Sequence, residues 1–208
     1  MDSHGWDNRY EENELVWSAE PNMFLPPIID DLAPGTALDL ACGEGRNAIW
    51  LAREGWDVTA VDFSPVGIEK GRQIAGDSAI EWIVADVTTY ETEREFDLVI
   101  IVYVHLPNDE TVDLFGRAVA ALAPGGTLVG VGHALKNLSE GVGGPPYPEI
   151  LWTENRIAPL VESLDVISLG ETLRPVENSA VEAIDLLLHA TKPQTANGSS
   201  PSGWSDSN

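Results

Sequence analysis

At 208 residues the chain is longer than an ordinary domain of about 150 residues and shorter than two, so one domain with extensions is expected. Its 11 Lys and Arg against 34 Asp and Glu give a formal charge of −23, which repels phosphate backbones and anionic lipid, so neither nucleic acid nor membrane is expected as a partner. The single cysteine, Cys42, and four histidines without ligand spacing exclude a disulfide framework and a multi-cysteine metal site; no metal is expected.

The opening MDSHGWDNRY is polar and acidic, unlike the basic and apolar start of an export signal, and no stretch approaches about 18 uninterrupted apolar residues. A cytoplasmic setting is therefore expected. The first strand signal is TALDLAC at 36–42, an apolar run broken only by Asp39 and ended by Gly43, as in a strand buried on both faces. A short helix follows from Asn47 to Arg53, with Gly55 as its stop. DVTAVDF at 57–63 reads as a second strand. Ser64-Pro65 then supplies an N-cap and a first-turn proline for a helix that fades near Gly76. The alternation continues through IEWIVADV (80–87), FDLVIIVYVHL (96–106), a helix from about Asp109 to Leu122, and GTLVGVGHA (127–134). Strands separated by helices imply a parallel α/β sheet.

Beyond His133 the pattern changes. Residues 136–149 contain Gly141, Gly143, Gly144, Pro145, Pro146 and Pro148, which predicts a loop without helix or strand. Thr153 to Ser163 predicts a helix. LDVISLGETL (164–173) and AVEAIDLLLHAT (180–191) predict an antiparallel hairpin at the sheet edge. From residue 194 the chain is small and polar, and a disordered tail over 194–208 is expected after a domain spanning 1–193.

One motif is sharp: Asp39-Leu-Ala-Cys-Gly43-Glu-Gly45-Arg-Asn47, at a strand-to-helix turn. Glycines there allow a tight turn and close approach of a ligand to the backbone, and the following helix offers free N–H groups. Gly43, Gly45 and Ala48 also satisfy the dinucleotide pattern GxGxxA, so an NAD(P)-dependent oxidoreductase and a cofactor-binding protein without catalysis stay open at this point. Asp62 ends the second strand and is placed to bond ribose hydroxyls in either cofactor class. Asp86, ending the third beside apolar Val87, suits the amino group of an adenine.

With these residues the chain resembles the class I S-adenosylmethionine-dependent methyltransferases over roughly residues 6–193. The family's first motif is matched by Asp39, Gly43 and Gly45, its second-strand acid by Asp62 and its third-strand acid by Asp86. The run GRNAIWLAREGWDVTAVDFS, with Arg46-Asn47 and the opening Trp6-Asp7-Asn8-Arg9-Tyr10, is similar to the tellurite-resistance and thiopurine methyltransferase-like branch. The resemblance implies a Rossmann-like seven-stranded sheet in order 3-2-1-4-5-7-6 with strand 7 antiparallel, helices on both faces and S-adenosylmethionine as cofactor. It also implies methyl transfer to a small-molecule acceptor at sulfur, oxygen, nitrogen or a chalcogen.

The expected cofactor contacts are Asp39, Ala41, Gly43, Gly45, Asp62, Phe63, Asp86, Val87 and Tyr103. Residues 1–33 form a cap in which Trp6, Tyr10 and Trp17 offer aromatic faces to a sulfonium and Arg9 pairs with the methionine carboxylate. Methyl transfer is an in-line displacement that needs alignment first and a base only for hydroxyl or amine acceptors. His105 and His133, near the ends of the fourth and fifth strands, are the candidate bases. Arg174, Tyr147 and Trp152 are the expected acceptor contacts, Arg46 is expected to brace the glycine loop, and Cys42 to be a buried small side chain. The sequence carries no signal for oligomeric state.

Overall fold

The computed structural model describes residues 3–13, 15–16 and 19–194. Trp17 and all but the first residue of the expected tail lie outside the described residues. In chain order the elements are helices α1 (Ser3–Glu12) and α2 (Pro26–Ile29), strand β1 (Thr36–Leu40), α3 (Arg46–Arg53), β2 (Asp57–Asp62), α4 (Pro65–Ala75), β3 (Ile80–Val84), β4 (Phe96–Val102), α5 (Asn108–Ala121), β5 (Leu122–His133), α6 (Asn137–Glu140), α7 (Glu154–Ile157), β6 (Asp165–Arg174) and β7 (Ala183–Thr191). Short 3-10 turns occupy Pro148–Ile150 and Ala158–Val161.

The sheet order is β3-β2-β1-β4-β5-β7-β6. β1 pairs in parallel with β2 and β4, whereas β7 runs antiparallel between β5 and β6. This is the topology implied by the family resemblance, including the expected edge hairpin. The period-2 alternation of β1 and β4 divides the core between two faces. Leu38, Leu40, Val99 and Ile101 pack towards α5 with Phe115 and Trp152. Ala37, Leu98 and Ile100 pack on the other side with Leu51, Trp56 and Ile68. α4 starts as its sequence signals: the Ser64 hydroxyl accepts the Gly67 N–H at 3.0 Å, and Pro65 occupies the first turn.

Three expectations change. Residues 136–149 were expected to hold no helix, but Asn137–Glu140 form one helical turn, fixed because Asn137 is buried and bridges two segments. Its amide donates to the Gly143 carbonyl at 2.8 Å and accepts the Ile184 N–H at 2.7 Å. The helix expected over 153–163 is one α turn followed by a 3-10 turn, since Pro159 lacks the N–H a continuing α-helix needs. β5 begins at Leu122 rather than 127, because Leu122 pairs with Phe96 across a register shift.

Candidate functional site

The carboxyl ends of β1, β2, β4 and β5 converge on the segment from Ala41 to Arg46. Ala41 (φ 61°), Gly43 (φ 58°) and Gly45 (φ 77°) are left-handed, so the chain reverses within five residues and delivers α3 with its N-terminus at the sheet edge. Gly45 is doubly required: a Cβ there would lie 2.2 Å from the Trp82 ring, which wedges between Gly45 and Gly71.

Asp39 is 1% exposed, and its Oδ2 has no hydrogen-bond partner. Burial, then the neighbouring Asp62 charge, pushes its pKa up to about 7, with Arg46 opposing. Asp62 is also raised, first by burial, although it accepts the Gly43 N–H at 2.8 Å and the Ser64 N–H at 2.9 Å. It thus ties the end of β2 to the glycine turn. Asp86 lies two residues beyond β3 on the rim, where its Oδ1 accepts the Thr88 N–H and hydroxyl at 2.8 and 2.7 Å, and Val87 beside it is buried. Cys42 is buried with its thiol pKa pushed up by that burial, as expected of a packing residue.

α1 seats on this half of the molecule. Tyr10 is buried with its ring against Gly67, and Trp6 stacks on it with centroids 5.6 Å apart. Arg9 is exposed and lies over the Trp6 ring, 5.2 Å from its centroid. A half-buried clasp without a signal in the sequence fixes the end of the helix. The Lys70 ammonium donates to the carbonyls of Tyr10 (2.7 Å) and Asn13 (2.6 Å) and pairs with Glu44 (3.0 Å). Glu44, inside the glycine turn and 3% exposed, accepts the Val16 N–H at 2.9 Å. The Ser3 hydroxyl donates to the Phe63 carbonyl, and Asp7 meets the Ser64 hydroxyl.

Across β4 the site changes character. A pocket of about 270 Å³ is lined by Pro21, Asn22, Met23, Arg46, Tyr103, His133, Arg174 and Pro175. Its hub is Asp185 on β7, fully buried, whose Oδ2 accepts both the Tyr103 hydroxyl and the Arg174 Nε–H at 2.7 Å. His133 Nδ1 stands 2.9 Å from Asp185 Oδ1, a close contact off the ideal hydrogen-bond direction. Burial works to raise the Asp185 pKa, but the close His133 nitrogen and the bonds from Arg174 and Tyr103 hold it below the usual carboxylate value. Burial and the Asp185 charge drive the Tyr103 phenol well above its ordinary value, so it stays neutral. Tyr103 holds a left-handed backbone (φ 58°) that is uncommon for a bulky residue, secured by its N–H to the Val131 carbonyl at 2.7 Å.

The two candidate histidines separate. His105 Nε2 accepts the His133 backbone N–H at 2.9 Å, and burial lowers its pKa to about 3. With that nitrogen occupied, His105 supports the backbone, and it is not available as a base. His133 lines the pocket, stacked on Tyr103 with centroids 4.8 Å apart. Arg46, expected only to brace the loop, also reaches this pocket, where burial and then, more weakly, the Arg174 charge lower its pKa.

Trp152 does not floor the pocket. It is 1% exposed, its ring fills the space above Gly132, where a Cβ would approach it to 2.4 Å, and its Nε1–H donates to the Val104 carbonyl at 3.2 Å. Tyr147 is 57% exposed on the outer surface, away from the lining. The hub residue Asp185 had a readable signal: an acid inside the apolar strand AIDLLLHAT has to be partnered.

The sequence and the fold have counterparts among known proteins. Residues 37–126 match the model of the methyltransferase domain family. The chain is 38% identical over 108 residues to phosphoethanolamine N-methyltransferase 1 of Triticum aestivum, covering 49% of this chain and 22% of that enzyme. It is 31% identical over 130 residues to an uncharacterized methyltransferase of Mycobacterium tuberculosis, covering 61% of this chain and 65% of the relative. The chain thus spans less than two thirds of either relative. In fold it is similar to the N-methyltransferase NodS of Bradyrhizobium japonicum, crystallised with S-adenosyl-l-homocysteine, with a TM-score of 0.75 at 21% identity over 93% of this chain and 100% of that one. TehB of Haemophilus influenzae matches with a TM-score of 0.71 at 15% identity over 89% of this chain and 66% of that one.

Proposed function

We propose that this chain is an S-adenosylmethionine-dependent methyltransferase acting on a small-molecule acceptor. The observation that carries the reading is the buried, unpartnered Asp39 oxygen beside a turn with three left-handed residues, within the segment that matches the methyltransferase domain. A buried carboxylate oxygen without a partner is costly unless a donor arrives, and the ammonium of a methionine moiety is such a donor. The residues present therefore fit the cofactor. Asp39, Gly43 and Gly45 would hold its amino-acid end, Asp62 its ribose, and Asp86 with Val87 its adenine. Tyr10 and Trp6 on α1 would cover it from above.

When bound, S-adenosylmethionine supplies a sulfonium-activated methyl group, which an acceptor lone pair takes in line as the carbon–sulfur bond breaks. The protein's part is alignment and shielding. Tyr103, on the wall of the acceptor pocket, is locked in place by Asp185. His133, with one ring nitrogen against Asp185 and the ring on the pocket wall, takes the proton released by a hydroxyl or amine acceptor. The test is transfer of a labelled methyl group from S-adenosylmethionine to a panel of small thiols, phenols, amines and carboxylates. Labelled product that disappears in Gly45→Ala supports the reading; labelling of nothing in the panel, with no cofactor binding, overturns it.

A further inference from the structure

The Gly/Pro-rich stretch after β5 leaves the sheet at His133 and comes back to that same side chain at Gly144. Its near end is pinned by Asn137, whose amide donates to the Gly143 carbonyl at 2.8 Å and accepts the Ile184 N–H at 2.7 Å. Its far end is pinned by Arg156, whose guanidinium donates to the carbonyls of Glu149 at 2.9 Å and Leu151 at 3.0 Å. Between these anchors Gly143 (φ 75°) and Gly144 (φ 79°) are consecutive left-handed residues, and both are exposed, so no surrounding core dictates the bend. What the bend achieves is a contact: it lays the backbone of Gly144 on the imidazole of His133. A Cβ at Gly144 would lie 2.8 Å from Cδ2, 2.9 Å from Cγ and 3.2 Å from Nε2 of that ring, inside the roughly 3.5–4.0 Å of ordinary carbon contact. At nearly equal distances from three ring atoms, the glycine faces the plane of the ring and not its rim. At Gly143 a Cβ would meet nothing within 4 Å.

His133 is held from other directions as well. Tyr103 stacks on it with centroids 4.8 Å apart, and its backbone N–H donates to His105 Nε2 at 2.9 Å. Tyr103 and His133 both line the pocket, whereas Gly144 does not, so Gly144 acts on the pocket only through the ring. We infer that Gly144 is a positioning residue for His133: its bare backbone presses the imidazole against Tyr103 and fixes the direction in which the ring meets an acceptor. Glycine alone meets both demands, the left-handed turn and the close approach. An imidazole held in one orientation is always placed to take the acceptor's proton, where a ring free to turn is so placed only part of the time. That His133 is the base rests on the methyltransferase reading; the contact between Gly144 and the ring does not.

The experiment compares Gly144→Asn with Gly143→Asn in the full chain. Asparagine tolerates a left-handed backbone better than most side chains, and the two φ values nearly coincide, so the variants share a backbone cost and differ in the ring contact. Cross-relaxation between the ring protons of His133 and Tyr103, followed by nuclear magnetic resonance, should persist in the wild type and Gly143→Asn and be lost in Gly144→Asn. With a phenol or amine that the wild type methylates, kcat should fall about tenfold in Gly144→Asn at an unchanged KM for S-adenosylmethionine, and stay within about twofold in Gly143→Asn. The same ring contacts in both variants, or equal losses of kcat in both, overturn the proposal. So does a wild type without cross-relaxation between the Gly144 α-protons and the His133 ring, a result that needs no variant to fold. A wild type that binds no S-adenosylhomocysteine and methylates nothing, with that cross-relaxation present, would remove the methyltransferase reading and leave Gly144 as the residue that holds the ring.

Discussion

The β1–β3 half and the β4–β7 half of this sheet edge solve different problems with different materials. The first is built from backbone: left-handed residues at 41, 43 and 45, N–H groups of Gly43 and Ser64 on Asp62, and carbonyls of Tyr10 and Asn13 on Lys70. The second is built from side chains: Tyr103, Arg174 and His133 gathered on the one carboxylate of Asp185. A backbone cradle suits a ligand that never varies, whereas a side-chain network can be altered one residue at a time to suit a different acceptor. The first half should thus be intolerant of small changes in shape, and the second of changes in side-chain charge.

The largest expected effect lies beneath the second half. Trp152→Ala would open a void over Gly130 and Gly132 and cost about 4 kcal/mol in urea unfolding. A cost near zero would mean the ring is not the core element described. Next is Gly45→Ala in the cradle, where the left-handed backbone and the Trp82 ring together should cost about 3 kcal/mol and abolish S-adenosylhomocysteine binding. Unchanged binding in a folded variant would remove the distinction between the halves.

A pH experiment sharpens it from the other side. His105 has a folded pKa of about 3 against an ordinary 6.5, so below pH 6.5 the unfolded chain takes up a proton that the folded protein refuses. Its contribution to stability is complete above pH 6.5 and is lost as pH falls towards 3. His105→Asn should flatten that acid limb by up to about 1.4 kcal/mol per pH unit, the value of one proton. An identical slope in the variant would mean His105 titrates normally. The smallest effect expected is from Lys70→Met, which unclasps α1 at a cost of about 1 kcal/mol and should show as faster proteolysis near Asn13 with the sheet intact.

What could be read in the sequence follows the same division. Asp39, Gly43, Gly45, Asp62 and Asp86 were legible because strand, turn and helix signals lie within a few residues of each, and strand ends in a parallel sheet share one edge. The alternation from Thr36 to His133 likewise yielded the parallel core, and AVEAIDLLLHAT the returning strand, while the full strand order rested on the family resemblance. The β4–β7 side was not legible to the same degree, because its contacts join residues remote in sequence: Tyr103 to Asp185 is 82 positions and His105 to His133 is 28. Arg46 seemed part of the turn alone, since nothing local says that Arg174 arrives opposite it. Trp152, expected as an acceptor contact, is instead a core residue, and Gly130 and Gly132 make room for its ring.

The central claim is that the glycine turn and Asp39 hold the amino-acid end of S-adenosylmethionine. Its most direct test is equilibrium binding of S-adenosylhomocysteine and of NAD to the wild type and to Asp39→Asn across pH 5.5 to 8.5. Binding of S-adenosylhomocysteine should strengthen as pH rises through about 7, because Asp39 is pushed up to about 7 and pairs with an ammonium only once ionised. Asp39→Asn should bind more weakly at pH 8.5 and lose this dependence. Tight NAD binding with none of S-adenosylhomocysteine, or the same pH profile in wild type and Asp39→Asn, would contradict the account.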